Sequence, residues 1–583
     1  MEPLIKKNLV PNEVPDTADI LARAEREAAG LSIGTTLFMK HYGVSSEAEY
    51  KKKRMAEGKI MHHAHIGWNS WEETAKGFQY IYDELTNKRG ITLDRFGVAL
   101  DWVMGVPETM RHKVMQGGSL VFKTPEEWEA VGQVVPIQPH FGDHMIGSLN
   151  STENAKLALH AGVTTMGNIA QYYTYEYPGG LMSKEERVIN MTTAIALMAR
   201  FKDQGALIHS NLDDGFGAMF HDLANLCGWA MLERYIVEDL LGARLSHCFG
   251  NLFSDPILRI IFLMAMDVIN THRSPGSMLY GNTIDFSEDY NRNYAALCSF
   301  VLADTCGQMM VPTGHAVTPI PITEAIRIPS VDEIIQVHIT ANMLEEKAKH
   351  YQLYLDREKM EVQKERLVIG GQIFFERVLN GLDDMGIDIR NPNELFLALK
   401  AMGPATLEEH FGAGKKDSHA MRGRIPIKPT DIVWTIGQKK EQICRNIPGL
   451  EHSLDGVNAI VACTDVHEFG KEIVKAILLK AGMHVFDLGA NVSPQELADA
   501  VIETGSSFIL ISTFNGIALT YAKDVLDCLK RNDLSACVIM GGLLNENKDG
   551  QALPVEVHEE LTKLGIICSN QAEDIIDSIK QHV

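Results

Sequence analysis

The chain has 583 residues, 45% hydrophobic and 22% charged, with a net charge of −22. That length exceeds one ordinary domain and predicts two to four folding units. The acidic balance argues against a nucleic-acid partner, which favours a basic face, and against an anionic membrane surface.

Residues 1–58 read as a polar, mostly helical extension, with Ser45-Ser46 placed to cap a helix before Glu47. The first sixteen residues hold no apolar core of signal-peptide length. The longest apolar stretch, near 257–269, is broken by Arg259 and Asp267 and falls short of the roughly 18 residues of a membrane span. Nine cysteines without a C-x-x-C pair fit a reducing, cytoplasmic setting.

Residues 59–345 alternate short apolar runs, at 97–100, 134–138, 205–209 and 308–313, with helical stretches such as 185–202 and 228–241. Repeated strand–helix units predict a (β/α)8 TIM-type barrel that holds the substrate. Residues 346–450 read as a helical connector, opening with a charged helix over 345–377. Residues 451–583 show five strand runs, at 459–463, 485–488, 508–511, 537–540 and 566–568, each followed by a helical pattern. That is the pattern of a flavodoxin-like, Rossmann-type sheet.

The loop after the first of these runs reads Thr464-Asp465-Val466-His467-Glu468-Phe469-Gly470. Ligands bind at the carboxyl ends of strands in such sheets. A neutral imidazole can ligate a metal through one nitrogen while a carboxylate accepts its other N–H. Asp465 and His467 have that spacing, and Gly470 lets a bulky group approach the backbone. Ser512, Gly541-Gly542 and Ser569-Asn570 close the later strands.

Asp465-x-His467-x-x-Gly470, followed by Ser512 and Gly541-Gly542, resembles the cobalamin-binding signature of the small subunit of glutamate mutase and its relatives. The resemblance implies His467 as a cobalt ligand, Asp465 as its hydrogen-bond partner, and a slot for the nucleotide tail beside Ser512, Phe514, Gly541, Gly542 and Ser569. Phe514 departs from the pattern, which has Leu there.

Residues 135–178, with His160-Ala161-Gly162 and the Tyr-rich 172–177, resemble the large subunit of glutamate mutase. Its carboxylate-binding arginines are replaced here by His65 and Pro139-His140, and the residue facing the substrate amine by Asn168. A single chain carrying both parts resembles 2-methyleneglutarate mutase. The resemblance implies an adenosylcobalamin-dependent carbon-skeleton mutase, an isomerase acting by radical chemistry on a small carboxylate substrate. His65, His140, Asn168 and Tyr177 would line its pocket, and no single catalytic residue stands out. Arg95, Arg111, Lys123 or a protonated histidine would then hold the carboxylate. Homo-oligomerisation is implied in the same way.

Two other readings stay open. The histidines at 62, 63, 65, 140, 144 and 209 would suit a divalent metal at barrel strand ends, and so a corrinoid-dependent methyltransferase. A non-catalytic cobalamin-binding protein is the third. Asp213-Asp214 reads as a solvated loop.

Overall fold

The structure, a computed structural model, describes residues 5–10, 12–177, 181–417, 420, 422–464, 469–489, 492–513, 516–546, 554–569 and 571–582. The chain divides into two compact units. One comprises residues 1–113, 119–173 and 182–432; the other comprises residues 114–118, 174–181 and 433–583.

The first unit contains eight short parallel strands. They are β1 (His63–Ile66), β2 (Arg95–Val98), β3 (Gln138–His140), β4 (Thr165–Met166), β5 (Leu207–Asn211), β6 (Leu245–Phe249), β7 (Met278–Leu279) and β8 (Ala316–Val317). They pair in sequence order as a three-stranded sheet, β1-β2-β3, and a five-stranded sheet, β4 through β8. Single parallel bridges, Phe141 to Met166 and His62 to Val317, join the two sheets at both seams. Helices lie between the strands, among them α1 (Glu47–Ala56) before β1, α2 (Lys184–Arg200) before β5 and α3 (Tyr290–Met310) before β8.

Local chemistry accounts for these helix starts. Ser46 caps α1 by accepting from Glu49 N, and Ser183 forms a reciprocal capping box with Glu186 at α2. Two expectations shift. The run 308–313, expected as a strand, is the last turn of α3 and the loop after it. The two-residue strand β8 follows, too short to show any period. The helix expected over 345–377 is interrupted by a 3-10 turn at Gln352–Tyr354, and α4 (Arg357–Asp384) starts afresh under an Asp356 cap.

The second unit has five parallel strands: β9 (Asn458–Cys463), β10 (His484–Asp487), β11 (Phe508–Thr513), β12 (Cys537–Gly542) and β13 (Ile567–Ser569). Their order is β10-β9-β11-β12-β13, so the chain winds both ways from β9. Alternation along β9 explains the two covered faces. Ile460 and Ala462 pack with α6 (Pro494–Thr504) and α7 (Ala518–Arg531). Ala459 and Val461 pack with α5 (Phe469–Lys480) and α8 (Ile575–Lys580). The α/β expectation and its Rossmann-like second domain hold.

Candidate functional site

In the second unit a cleft opens at the carboxyl ends of β9, β11 and β12. Its walls are largely apolar, from Val461, Ile473, Leu510 and Ile575, and Gly470, Lys471, Ser512, Gly541, Gly542 and Ser569 complete it. The predicted tail residues that the structure describes thus meet around one space. Asp465, His467 and Phe514 lie outside the described residues.

The glycines keep this space. A Cβ on Gly470 would sit 2.7 Å from Ser512 Oγ, and one on Gly541 3.0 Å from Ser569 O. Gly542 has φ +95°, and a Cβ there would be 2.3 Å from Thr513 O. Any side chain at Gly542 therefore strains the backbone as well as crowding the strand beside it. This largely apolar cleft, with glycines on its walls, is the space that the sequence expectation assigns to a nucleotide tail.

The flanks of the 465–468 segment are well held. Cys463 N donates to Gly489 O at 3.0 Å, and Thr464 N to Ser512 O at 3.0 Å. The chain therefore leaves β9 beside Ser512 and returns as α5, which begins at Phe469 and carries Gly470 in its first turn.

In the first unit the register places His65, Gly97 and His140 in one row across β1, β2 and β3. A Cβ on Gly97 would fall 2.5 Å from His63 Nε2 and 3.3 Å from His65 Nδ1. Glycine there makes room for imidazoles. Ring centroids run His65–His63 at 6.5 Å, His63–His140 at 6.1 Å and His140–His209 at 4.9 Å.

Hydrogen bonds settle two tautomers. His63 Nδ1 accepts from Arg95 Nε at 2.9 Å, so its proton sits on Nε2. His140 Nδ1 donates to Thr165 O at 3.0 Å, which leaves Nε2 as a lone pair. Neither Nε2 has a partner among the described residues. Burial, then the charge of Arg95, holds both imidazoles well below their ordinary pKa. They are neutral, so a protonated histidine here is not the carboxylate holder.

Arg95 is likewise occupied. Its guanidinium, 2% exposed, meets Glu47 at 2.8 Å, His63 at 2.9 Å and Ser277 Oγ at 3.3 Å. Glu47 also pairs with Lys51 at 3.1 Å. Burial pushes Lys51 down to about 7 despite Glu47. Arg95 therefore belongs to a structural network and does not serve as a free clamp.

The other pocket candidates separate. Asn168 is engaged: it donates to Asp214 at 2.9 Å and accepts from Asn211 N at 2.9 Å and Ala170 N at 3.2 Å. Tyr177 falls in residues 174–181, which group with the second unit. Asp213 is buried, not solvated; it accepts from Asn251 N at 2.7 Å, and burial pushes its carboxyl up to about 6. Among the described residues no three His, Cys, Asp or Glu side chains form a metal-holding group. No helix among them is long and apolar enough to cross a membrane.

Sequence reasoning missed Glu47, Lys51 and Ser277 in the first unit and Lys471 with Asp487 in the second. The i, i+4 spacing of Glu47 and Lys51 was a visible signal, but it did not reveal their burial.

Comparison with known proteins bears on the second unit. Residues 456–553 match the B12 binding domain family. Dimethylamine corrinoid protein 3 of Methanosarcina acetivorans is 35% identical over 80 residues, 13% of this chain and 38% of that protein. Its namesake from Methanosarcina mazei is 32% identical over 80 residues, 13% of this chain and 48% of that protein. The chain thus spans less than half the length of these curated relatives. Among solved structures, a novel cobalamin-binding protein from Desulfitobacterium hafniense aligns with a TM-score of 0.21 at 20% identity, covering 36% of this chain and 90% of that one. The methanol:cobalamin methyltransferase complex MtaBC from Methanosarcina barkeri aligns with a TM-score of 0.19 at 14% identity, covering 51% and 81%. Scores this low carry no argument. The chain contains a B12-binding domain, and its signature glycines line the cleft.

Proposed function

We propose that this protein is a corrinoid-dependent enzyme that moves a methyl group to or from a small substrate held in the first unit. The observation that carries the corrinoid part is the cleft whose glycines, Gly470, Gly541 and Gly542, fall in the matched B12-binding domain. Methyl transfer is the reading favoured by similarity to the dimethylamine corrinoid proteins, whose names couple a methylated amine to a corrinoid. When bound, the corrinoid supplies a cobalt–carbon bond that can be made and broken.

The chain's own residues bind and orient. Ser512, Gly541, Gly542 and Ser569 would hold the tail, and His467, steadied by Asp465, would ligate cobalt. The first unit reads as one closed eight-stranded barrel, its two sheets joined by the two bridges. Its interior row of neutral imidazoles would hydrogen-bond a small polar substrate, with His65 and His140 in contact and Asn168 shaping the wall through Asp214.

Carbon-skeleton rearrangement of a small carboxylate with adenosylcobalamin is the second reading. The specific observation favouring it is the His65–Gly97–His140 row, which puts both glutamate mutase-like positions into one layer. Two incubations of the full chain separate the readings. Methylcobalamin should lose its methyl group to a small thiol or amine acceptor, read by absorbance in the dark. Adenosylcobalamin with 2-methyleneglutarate should give no product by NMR. The opposite pair of results replaces methyl transfer with the mutase reading.

His467→Ala is expected to weaken cobalamin binding and to remove imidazole nitrogen coupling from the electron paramagnetic resonance of the reduced cofactor. Unchanged affinity with an unchanged spectrum overturns the ligand assignment.

A further inference from the structure

Lys471 is an expensive residue where it stands. It is 3% exposed, lines the cleft and sits in the first turn of α5, where a cation opposes the helix dipole. A buried ion pair seldom stabilises more than an apolar residue of similar size. Methionine would pack there at lower cost, so stability alone does not account for the lysine.

Its hydrogen bonds show what it does. Lys471 Nζ lies 2.7 Å from Asp487 Oδ1, and Lys475 Nζ lies 2.7 Å from Oδ2. Asp487 Oδ1 also accepts from Gly489 N at 2.9 Å. Gly489 O in turn accepts from Cys463 N at 3.0 Å. Burial alone would raise the Asp487 carboxyl, but the two lysines outweigh it and hold it below its ordinary value. Glu472, 3.0 Å from Lys440 and 3.7 Å from both Lys471 and Lys475, closes the outer side.

Cys463 precedes the segment that holds His467, and Lys471 follows it. Both ends are therefore tied to one stretch, residues 487–489, at the end of β10. We propose that the Lys471–Asp487 pair is a clamp that holds the start of α5, and so sets the cleft wall at Gly470 and supports the ligation of cobalt by His467. This rests on the corrinoid reading above. Lys471 and Asp487 are positioning residues; neither needs to touch the cofactor.

The test uses the full chain carrying Lys471→Met or Asp487→Asn, titrated with cobalamin. Each variant should bind about 10- to 100-fold more weakly, the usual loss when a partner that orients a metal ligand is removed. At saturating cofactor each should also show reduced imidazole coupling to cobalt. Lys471→Arg should restore both, and Lys471→Met with Asp487→Asn should be no worse than either alone, since one pair is lost in all three. Wild-type affinity in both single variants overturns the clamp. So does weaker binding with full imidazole coupling at saturation, which would mean the pair supports the fold only. Failure of the underlying reading looks different: the unaltered protein would itself show no imidazole coupling, and the clamp would fall with it.

Discussion

Gly470→Leu should abolish useful corrinoid binding while leaving the second unit folded. The Cβ would meet Ser512, its Oγ at 2.7 Å and its Cβ at an ordinary 3.7 Å, and the hydroxyl can rotate away. The backbone at Gly470 does not lie in the left-handed region, so leucine is tolerated in the first turn of α5. The rest of the side chain then occupies the cleft. A heteroaromatic tail buries roughly 150–250 Å², or about 4–6 kcal/mol at ~25 cal/mol per Å². With about 1.4 kcal/mol per tenfold, its exclusion should weaken binding by roughly 1,000- to 10,000-fold. Calorimetric titration with cobalamin measures the loss, and circular dichroism reports the fold. A leucine variant that binds as tightly as the unaltered chain would remove the cleft from the cofactor site.

Lowering the pH from 7 to 5 should destabilise the first unit through its buried imidazoles, against an opposing stabilisation from the buried carboxyls of Asp213, pushed up to about 6, and of Glu233 and Glu324, both pushed up to about 7. His63, His140, His209 and His315 are all buried and neutral, their pKa held well below the ordinary value, first by burial. The unfolded chain binds protons on these imidazoles below about pH 6.5, and the folded chain does not. Their contribution is therefore complete above pH 6.5 and is lost as pH falls through the unfolded value. Each of these imidazoles lowers stability progressively as pH falls below about 6.5, and the direction is the same for all four. Urea unfolding at pH 7, 6 and 5 measures the slope. His140→Gln should show a shallower loss of stability over that range. A slope unchanged by this substitution would show that His140 is protonated in the folded state.

The strands of the second unit were legible almost to the residue. The run 459–463 became Asn458–Cys463, and 537–540 became Cys537–Gly542. Each is a continuous apolar stretch bounded by turn residues, so the signal is local and strong. The first unit was harder. Strands of two residues such as Ala316–Val317 have no period to read, and the apolar run just before it belongs to a helix end. The histidine spacing was plain, but the partners were not. Arg95 meets Glu47 48 positions away and Ser277 182 positions away, and no pattern in a single sequence reports such contacts.

His467 shows the division most clearly. Its residue type, its spacing to Asp465 and Gly470 and its place after a strand are all written within one short loop, so sequence alone was enough to point to a corrinoid. The cleft is assembled from β9, β11, β12 and β13, and the clamp from Lys471, Asp487, Gly489 and Cys463. In the first unit, only folding brings Arg95, Glu47 and Ser277 together and so decides that the cation is consumed and the imidazoles stay neutral. Cofactor class was local information. Cleft shape and interior charge arise from close contacts between residues distant in the chain, and packing alone creates those.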